Sequence, residues 1–234
     1  MKYFIVILFT LCLLPKSYCQ QKSYPFYQLY QLDSIGQSPS ISRHFGSLYF
    51  NFLQLIEKKL ANADSTTKRF IRHFEIVFAQ FYIDACSAYS RNEQIPLPAW
   101  RAYFSDSTLQ FFQYYLLGAN AHLNGGLAEA IAGSYTQAEW MNLKKKYILF
   151  NKCLNQTFNK VYTETITNSK RAKLLSVNTF GFAKPAGQYY LYKWRKRQMR
   201  LTEYYYEKSD NYKRLLHKIN RKKEKIDRLV FTQF

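Results

Sequence analysis

Residues 109–132 carry a single charge, Glu129, and that scarcity constrains the fold more than any other feature of the chain. A helix that is apolar nearly all round belongs either in the middle of a bundle or across a bilayer. Gln110, Gln113, Asn120, His122 and Asn124 interrupt this one too often for a membrane span, because each would need a polar partner in hydrocarbon. The segment therefore reads as a central helix wrapped by others.

The flanking sequence supplies the wrapping. Phe45, Leu48, Tyr49, Phe52, Leu55, Ile56 and Leu60 recur at three and four residues, the helical period. After a cap at Asp64 and Ser65, a second stripe runs Phe70, Phe74, Val77, Phe78, Phe81, Ala85 and Tyr89. Pro96 and Pro98 break the pattern, since proline lacks a donor and restricts the residue before it. Trp100 and Phe104 are expected to anchor that break to the core, and Ser105 with Asp106 offers a cap for the central helix. Thr136 and Glu139 form a capping-box pattern before a further long helix, and residues 168–187 break that helix in turn. Pro185 suits the start of the next, and Leu215, Leu216, Ile219, Ile226, Leu229 and Val230 give the last its narrow stripe. Neither a repeat nor an alternating strand pattern is present. The expectation is an all-α fold: a single-domain helical bundle of about six or seven helices around a buried central helix at 109–132.

Residues 1–19 read differently. Lys2 precedes an uncharged run at 4–14, too short to span a bilayer, and residues 15–19 resemble a cleavage region. This predicts a signal peptide, with the mature chain starting at Gln20 and exported to the periplasm or beyond; acylation of Cys19 is the lipid-anchored alternative. Residues 20–40 show no sustained period and read as an N-terminal arm before an all-helical domain at 41–234. Loss of the leader would leave two cysteines, Cys86 and Cys153, free to pair in an oxidising compartment or to serve as small buried hydrophobes.

The formal charge is +19, or +17 without Lys2 and Lys16. Residues 193–228 hold 14 Lys or Arg against five acids. Such a block attracts an anionic envelope surface or polysaccharide, or is simply a solvated face. Nucleic acid is a poor fit for an exported chain, and single-stranded recognition wants several aromatics on one platform. Within the block, Trp194, Arg195 and Arg197 are the binding candidates, able to stack and to pair with phosphates or sulfates, or else to pack and bridge acids.

Candidate chemistry centres on the middle helix. Helical spacing puts Gly118, His122, Gly125, Gly126, Glu129 and Gly133 on one side. Helical glycine costs about 1 kcal/mol relative to alanine, so these positions call for close packing or for space beside a ligand. In the second case His122 and Glu129 are the catalytic candidates. Asn120 and Asn124 either tie other segments to this helix or line a small-molecule site. His73, Glu75 and Asp84 are badly spaced for a metal, and no two histidines stand three or four apart, so neither a metal nor a cofactor is expected. Nucleophile elbow, phosphate loop and dinucleotide fingerprint are missing too, and neither Cys86 nor Cys153 has the setting of a reactive thiol.

With the helices placed, Phe45-Gly-Ser-Leu-Tyr49, Phe78-Ala-Gln-Phe-Tyr82, Trp100 with Phe104, Leu117-Gly-Ala-Asn-Ala-His-Leu-Asn-Gly-Gly-Leu127 and Lys193-Trp-Arg-Lys-Arg-Gln198 resemble the bacterial domain-of-unknown-function family 5995. The resemblance implies an all-helical domain and brings no established activity. In that family's pattern an Asp follows the central Asn-Ala-His-x-Asn at the position that is Gly126 here, which weakens any transfer of a catalytic or metal role to His122. The functional expectation is a non-catalytic binding or structural protein of the cell envelope with a basic C-terminal surface. A hydrolase-like enzyme with a polar pocket around His122 is the alternative.

Overall fold

The computed structural model describes residues 24–168 and 183–233; the expected leader at 1–19 lies outside them. The described chain is helical throughout, joined by turns: α1 (Tyr27–Gln37), α2 (Ser42–Leu60), α3 (Ser65–Ser90), a 3-10 turn (Pro98–Trp100), α4 (Phe111–Asn120), a π-helical turn (Ala121–Gly126), α5 (Leu127–Ser134), α6 (Gln137–Leu143), a second 3-10 segment (Lys144–Ile148), α7 (Leu149–Asn168), α8 (Ala183–Tyr206) and α9 (Asn211–Gln233). The fold is all-α, as the hydrophobic period predicts.

The middle segment is central in fact. Through its π turn α4 runs on into α5, and this continuous rod touches α2, α3, α8 and α9. Phe112, Tyr114, Leu117, Ala121, Leu127, Ala130 and Ile131 are all buried along it. No helix among the described residues is long and apolar enough to cross a membrane. Around the rod the core is aromatic. Trp100, Trp140, Tyr49, Tyr82 and Tyr103 are fully enclosed, each such burial stabilising by about 1.5–3 kcal/mol relative to exposure.

Buried tyrosines keep their hydroxyls satisfied on backbone carbonyls: Tyr82 donates to Ser42, Tyr103 to Ile41 at 2.9 Å, Tyr114 to Asp106 at 2.9 Å and Tyr135 to Phe70. Each of these bonds joins distant parts of the chain or a helix to its lead-in, so they fix helix positions as well as satisfying polar atoms.

Four local details depart from the sequence expectation. The arm contains α1, whose Leu29 and Leu32 are buried against α2 and α3; two buried leucines three apart are too few to register as a period. The central helix starts at Phe111 with Gln110 and Gln113 forming its capping box, while Asp106 caps the turn at Thr108 instead. The long helix expected after Thr136 is divided. Its capping box forms, but the 3-10 segment follows, from which Lys144 reaches Glu203 at 2.8 Å and Lys146 reaches Asp64 at 3.2 Å while Tyr147 enters the core. Finally, α8 is already helical at Ala183, inside the 168–187 stretch expected to separate the helices, and it takes in Pro185. Cys86 and Cys153 are separate free thiols, both buried, and burial pushes both up, Cys86 to about 12.

Candidate functional site

The π turn at Ala121–Gly126 positions the site. A π turn opens the backbone ladder and recurs where a helix is adapted to a function. It also advances the phase, so residues beyond it no longer face where an ideal helix would send them. His122 is buried at 6% exposure, whereas Glu129 is exposed and lines a different cavity, of about 290 Å3, with Asn124, Gln198 and Lys223. The expected His122–Glu129 pairing is therefore not formed: the two stand seven residues, about 10 Å, apart along the rod and the π turn shifts their relative phase.

The glycines prove to be contacts with protein. A Cβ at Gly118 would lie 2.3 Å from Phe45, and one at Gly125 would lie 2.1 Å from the Cβ of Ala99 in the 3-10 turn. Gly126 is tight against Phe81 and Leu97, at 3.3 and 3.4 Å. Only Gly133 has slack, with Val77 4.0 Å away.

His122 is surrounded by rings. Its imidazole stacks on Phe78 at 3.5 Å between centroids and meets Tyr49 edge-on at 4.4 Å. Neither ring nitrogen has a hydrogen-bond partner among the described residues. Beneath it lies a cavity of about 70 Å3 whose walls include Phe45, Tyr49, Phe52, Phe74 and Phe78 together with Glu75, Tyr147, Thr157 and Arg195. Glu75 Oε2 accepts from the Tyr49 hydroxyl at 3.3 Å; its Oε1 has no partner, nor has Thr157 Oγ1. So four of the five buried side-chain polar atoms left without a partner among the described residues belong to walls of this one cavity. The fifth, Trp140 Nε1, does not line it. An unmet buried polar atom costs about 1–3 kcal/mol, and four around one space need a common explanation.

Electrostatics sharpen the picture. Desolvation pushes the Glu75 carboxyl up to about 8, outweighing the Tyr49 hydrogen bond and the Arg195 charge that favour ionisation. Desolvation alone holds the His122 imidazole well below its ordinary range. At neutral pH both groups are uncharged. Arg195, 3% exposed, supplies the cavity's full positive charge, held over the Tyr147 ring at 4.6 Å and against the Tyr147 carbonyl at 3.5 Å.

The remaining sequence candidates divide. Asn120 and Asn124 tie helices together: Asn120 Nδ2 donates to Asp227 Oδ1 at 2.7 Å and to the Lys223 carbonyl at 3.0 Å, Asn124 Nδ2 donates to Asn120 Oδ1 at 2.8 Å, and Gln198 Nε2 donates to the Asn124 carbonyl at 2.8 Å. A buried Lys223–Asp227 ion pair at 2.6 Å completes the network. Trp194, Arg195 and Arg197 do not act as one face. Arg195 points inward, Trp194 lines a neighbouring apolar cavity, and Arg197 stays half-buried near Lys222. In the sequence Glu75 reads as a poorly spaced metal ligand, and its companions His73 and Asp84 are exposed. The missed signal is its position at four after Ile71 and three before Phe78, on the buried stripe.

Fold and cavity together define an all-helical protein with a small aromatic-walled interior cavity. The chain belongs to the family described as a family of unknown function, DUF5995, which it matches over residues 29–233. No curated protein matches it, and no solved structure does.

Proposed function

We propose that the chain is a non-catalytic binding protein of the cell envelope or exterior, holding a small molecule in the cavity beneath His122. The observation that carries this reading is that three residues with buried polar atoms unpartnered among the described residues, Glu75, His122 and Thr157, line one aromatic-walled cavity together with Arg195. Ligand sites characteristically combine apolar walls with a few convergent polar groups. A core built only for stability would have filled the space or paired those atoms.

The basic C-terminal helices supply the second contact. Lys222 on α9 is held below its ordinary value by desolvation and then by Arg197, Lys218 and Lys193, so cations of α8 and α9 crowd one face. Such a face suits the anionic surfaces an exported protein meets. A hydrolase-like enzyme is the second reading, supported by Glu75 and His122 lying in one cavity with pKa values moved in opposite directions, as acid–base pairs often are.

Gentle purification followed by native mass spectrometry tests the binding reading. One adduct per chain is expected, absent from a Leu123→Trp variant whose indole fills the cavity wall. A bare mass for the unaltered chain, together with no thermal shift from a broad panel of small molecules, would reject it. Turnover of a bound molecule that stops in His122→Phe would favour the enzyme.

A further inference from the structure

A second and larger cavity, of about 350 Å3, lies among α4, α7, α8 and α9. Apart from Gly187 and Thr157 its lining is aliphatic and aromatic, with Phe158, Val161, Leu191, Trp194 and Ile226 among the walls. Three further lining residues, Leu116, Tyr190 and Leu229, are 41%, 55% and 45% exposed, so the space reaches the surface. Its volume falls within the range of about 300–1,000 Å3 that small-molecule sites occupy. A partner's helix, about 10 Å across with its side chains, is too wide to pass between packed helices. A hydrocarbon chain is not, and it gains by every methylene it buries.

Two of the helices that wall this cavity carry cations onward from it. On α8, Tyr190, Lys193, Trp194 and Arg197 follow the spacing of one helix face, and on α9 so do Lys218, Lys222, Ile226 and Leu229. Gln198 and Lys223 line one polar cavity together, which sets their neighbours Arg197 and Lys222 at matching heights on the two helices. Desolvation and then the charges of Arg197, Lys218 and Lys193 hold the Lys222 ammonium below its ordinary value, in keeping with that register. Lys193 lies over the Tyr189 ring at 5.1 Å and donates to its hydroxyl at 3.2 Å, yet none of the four cations joins an ion pair among the described residues. The nearby acids of α9 are engaged elsewhere: Asp227 pairs with Lys223 in the interior, and Glu224 lines the polar cavity. An apolar interior and a cationic rim thus meet at Trp194 and Ile226. From this juxtaposition we propose that the larger cavity holds one acyl chain of an anionic phospholipid whose phosphate lies on Lys193, Arg197 and Lys222. Guanidinium and ammonium groups suit a phosphate, and a net negative head meets cations without a competing choline. The proposal concerns a different space from the one beneath His122 and does not rest on the reading of that cavity.

Lauroyl-lysophosphatidylglycerol and lauroyl-lysophosphatidylcholine share a tail and a phosphate and differ in net charge, while glycerol 3-phosphate is a head with no tail. Each is titrated calorimetrically into the purified chain, the lipids below their micelle concentrations, in about 0.15 M salt so that long-range surface attraction is screened. The anionic lipid is expected to bind once per chain and at least about tenfold more tightly than the zwitterionic one, with no measurable heat from glycerol 3-phosphate. Replacing Lys193, Arg197 and Lys222 together by glutamine should bring the anionic lipid down to the affinity of the zwitterionic one. Val161→Trp, which fills this cavity from a residue that does not line the one beneath His122, should abolish binding of both lipids. Equal affinities for the two lipids on the unaltered chain would overturn the assignment of the head. Glycerol 3-phosphate binding as tightly as the anionic lipid, or lipid binding that survives Val161→Trp, would place the ligand on the surface and overturn the acyl chain. Binding of neither lipid would overturn the whole, leaving a co-purifying adduct that persists in Val161→Trp to the cavity beneath His122. Should Val161→Trp fail to fold, Leu229→Trp at the exposed rim takes its place and should weaken both lipids.

Discussion

Glu75 and His122 respond to burial in opposite ways, since a carboxyl is uncharged with its proton and an imidazole without it. Glu75 has its native value raised to about 8 against an unfolded value near 4.3, so its contribution to stability is fully present below about pH 4.3 and is lost as pH rises through 8. Glu75→Gln removes that dependence: its melting temperature should exceed that of the unaltered chain at pH 8 and match it near pH 4. His122, depressed, works from the other side, its contribution present above the unfolded value near 6.5 and lost as pH falls. His122→Phe should keep the stack on Phe78, remove two unmet nitrogens and stabilise the empty protein by about 1–3 kcal/mol, while weakening ligand binding. Denaturant unfolding measures it; a loss of stability would mean that His122 is an ordinary satisfied core residue. His122 was legible in the sequence because a lone ionisable group stood in an apolar helix. Glu75 was not, and Arg195 stood out only as one of a basic surface group with Trp194 and Arg197, because each sits on a helix with many charges and only the buried stripe, Ile71-Glu75-Phe78 or Leu191-Arg195-Gln198, sets them apart.

Between elements, the glycines and the asparagines decide how close the helices come. Gly118→Ala and Gly125→Ala each drive a methyl into a neighbour and should destabilise by about 1–3 kcal/mol, whereas Gly133→Ala meets nothing closer than 4.0 Å and should stabilise by about 0.4–1 kcal/mol. Thermal melts of the three variants separate packing from propensity. Lys223→Met, by leaving Asp227 buried beside Asn120 without its cation, should cost about 3–5 kcal/mol, and the double change with Asp227→Leu should cost less. Helix spacing exposed the apolar stripes, including the central one, with fair boundaries. Phase beyond a π turn cannot be read from an ideal period, which is why Glu129 was expected beside His122. Likewise, a 3-10 segment held by Lys144 and Lys146 on distant acids is a tertiary effect, invisible in a local pattern.

Over the whole molecule the formal charge of +19 and the interior cavity make separable claims. If the cations of α8 and α9 meet an anionic surface, the chain should sediment with phosphatidylglycerol vesicles at low salt and be released as salt rises, with little retention on neutral lipid. Replacing Lys218 and Lys222 by glutamine should weaken that retention without changing the melt. Fold class and overall charge were readable because both are sums over many residues; the cavity was not, because it is assembled from α2, α3, α4, the π turn, α7 and α8. Stability itself reports most directly on whether this cavity is a ligand site, since a bound molecule stabilises the native state by mass action. The measurement is the melting temperature of gently purified protein before and after solvent extraction and after the extract is returned. A fall on extraction that is reversed on return is expected, in Leu123→Trp neither; an unaltered chain whose melt ignores both steps would contradict the account.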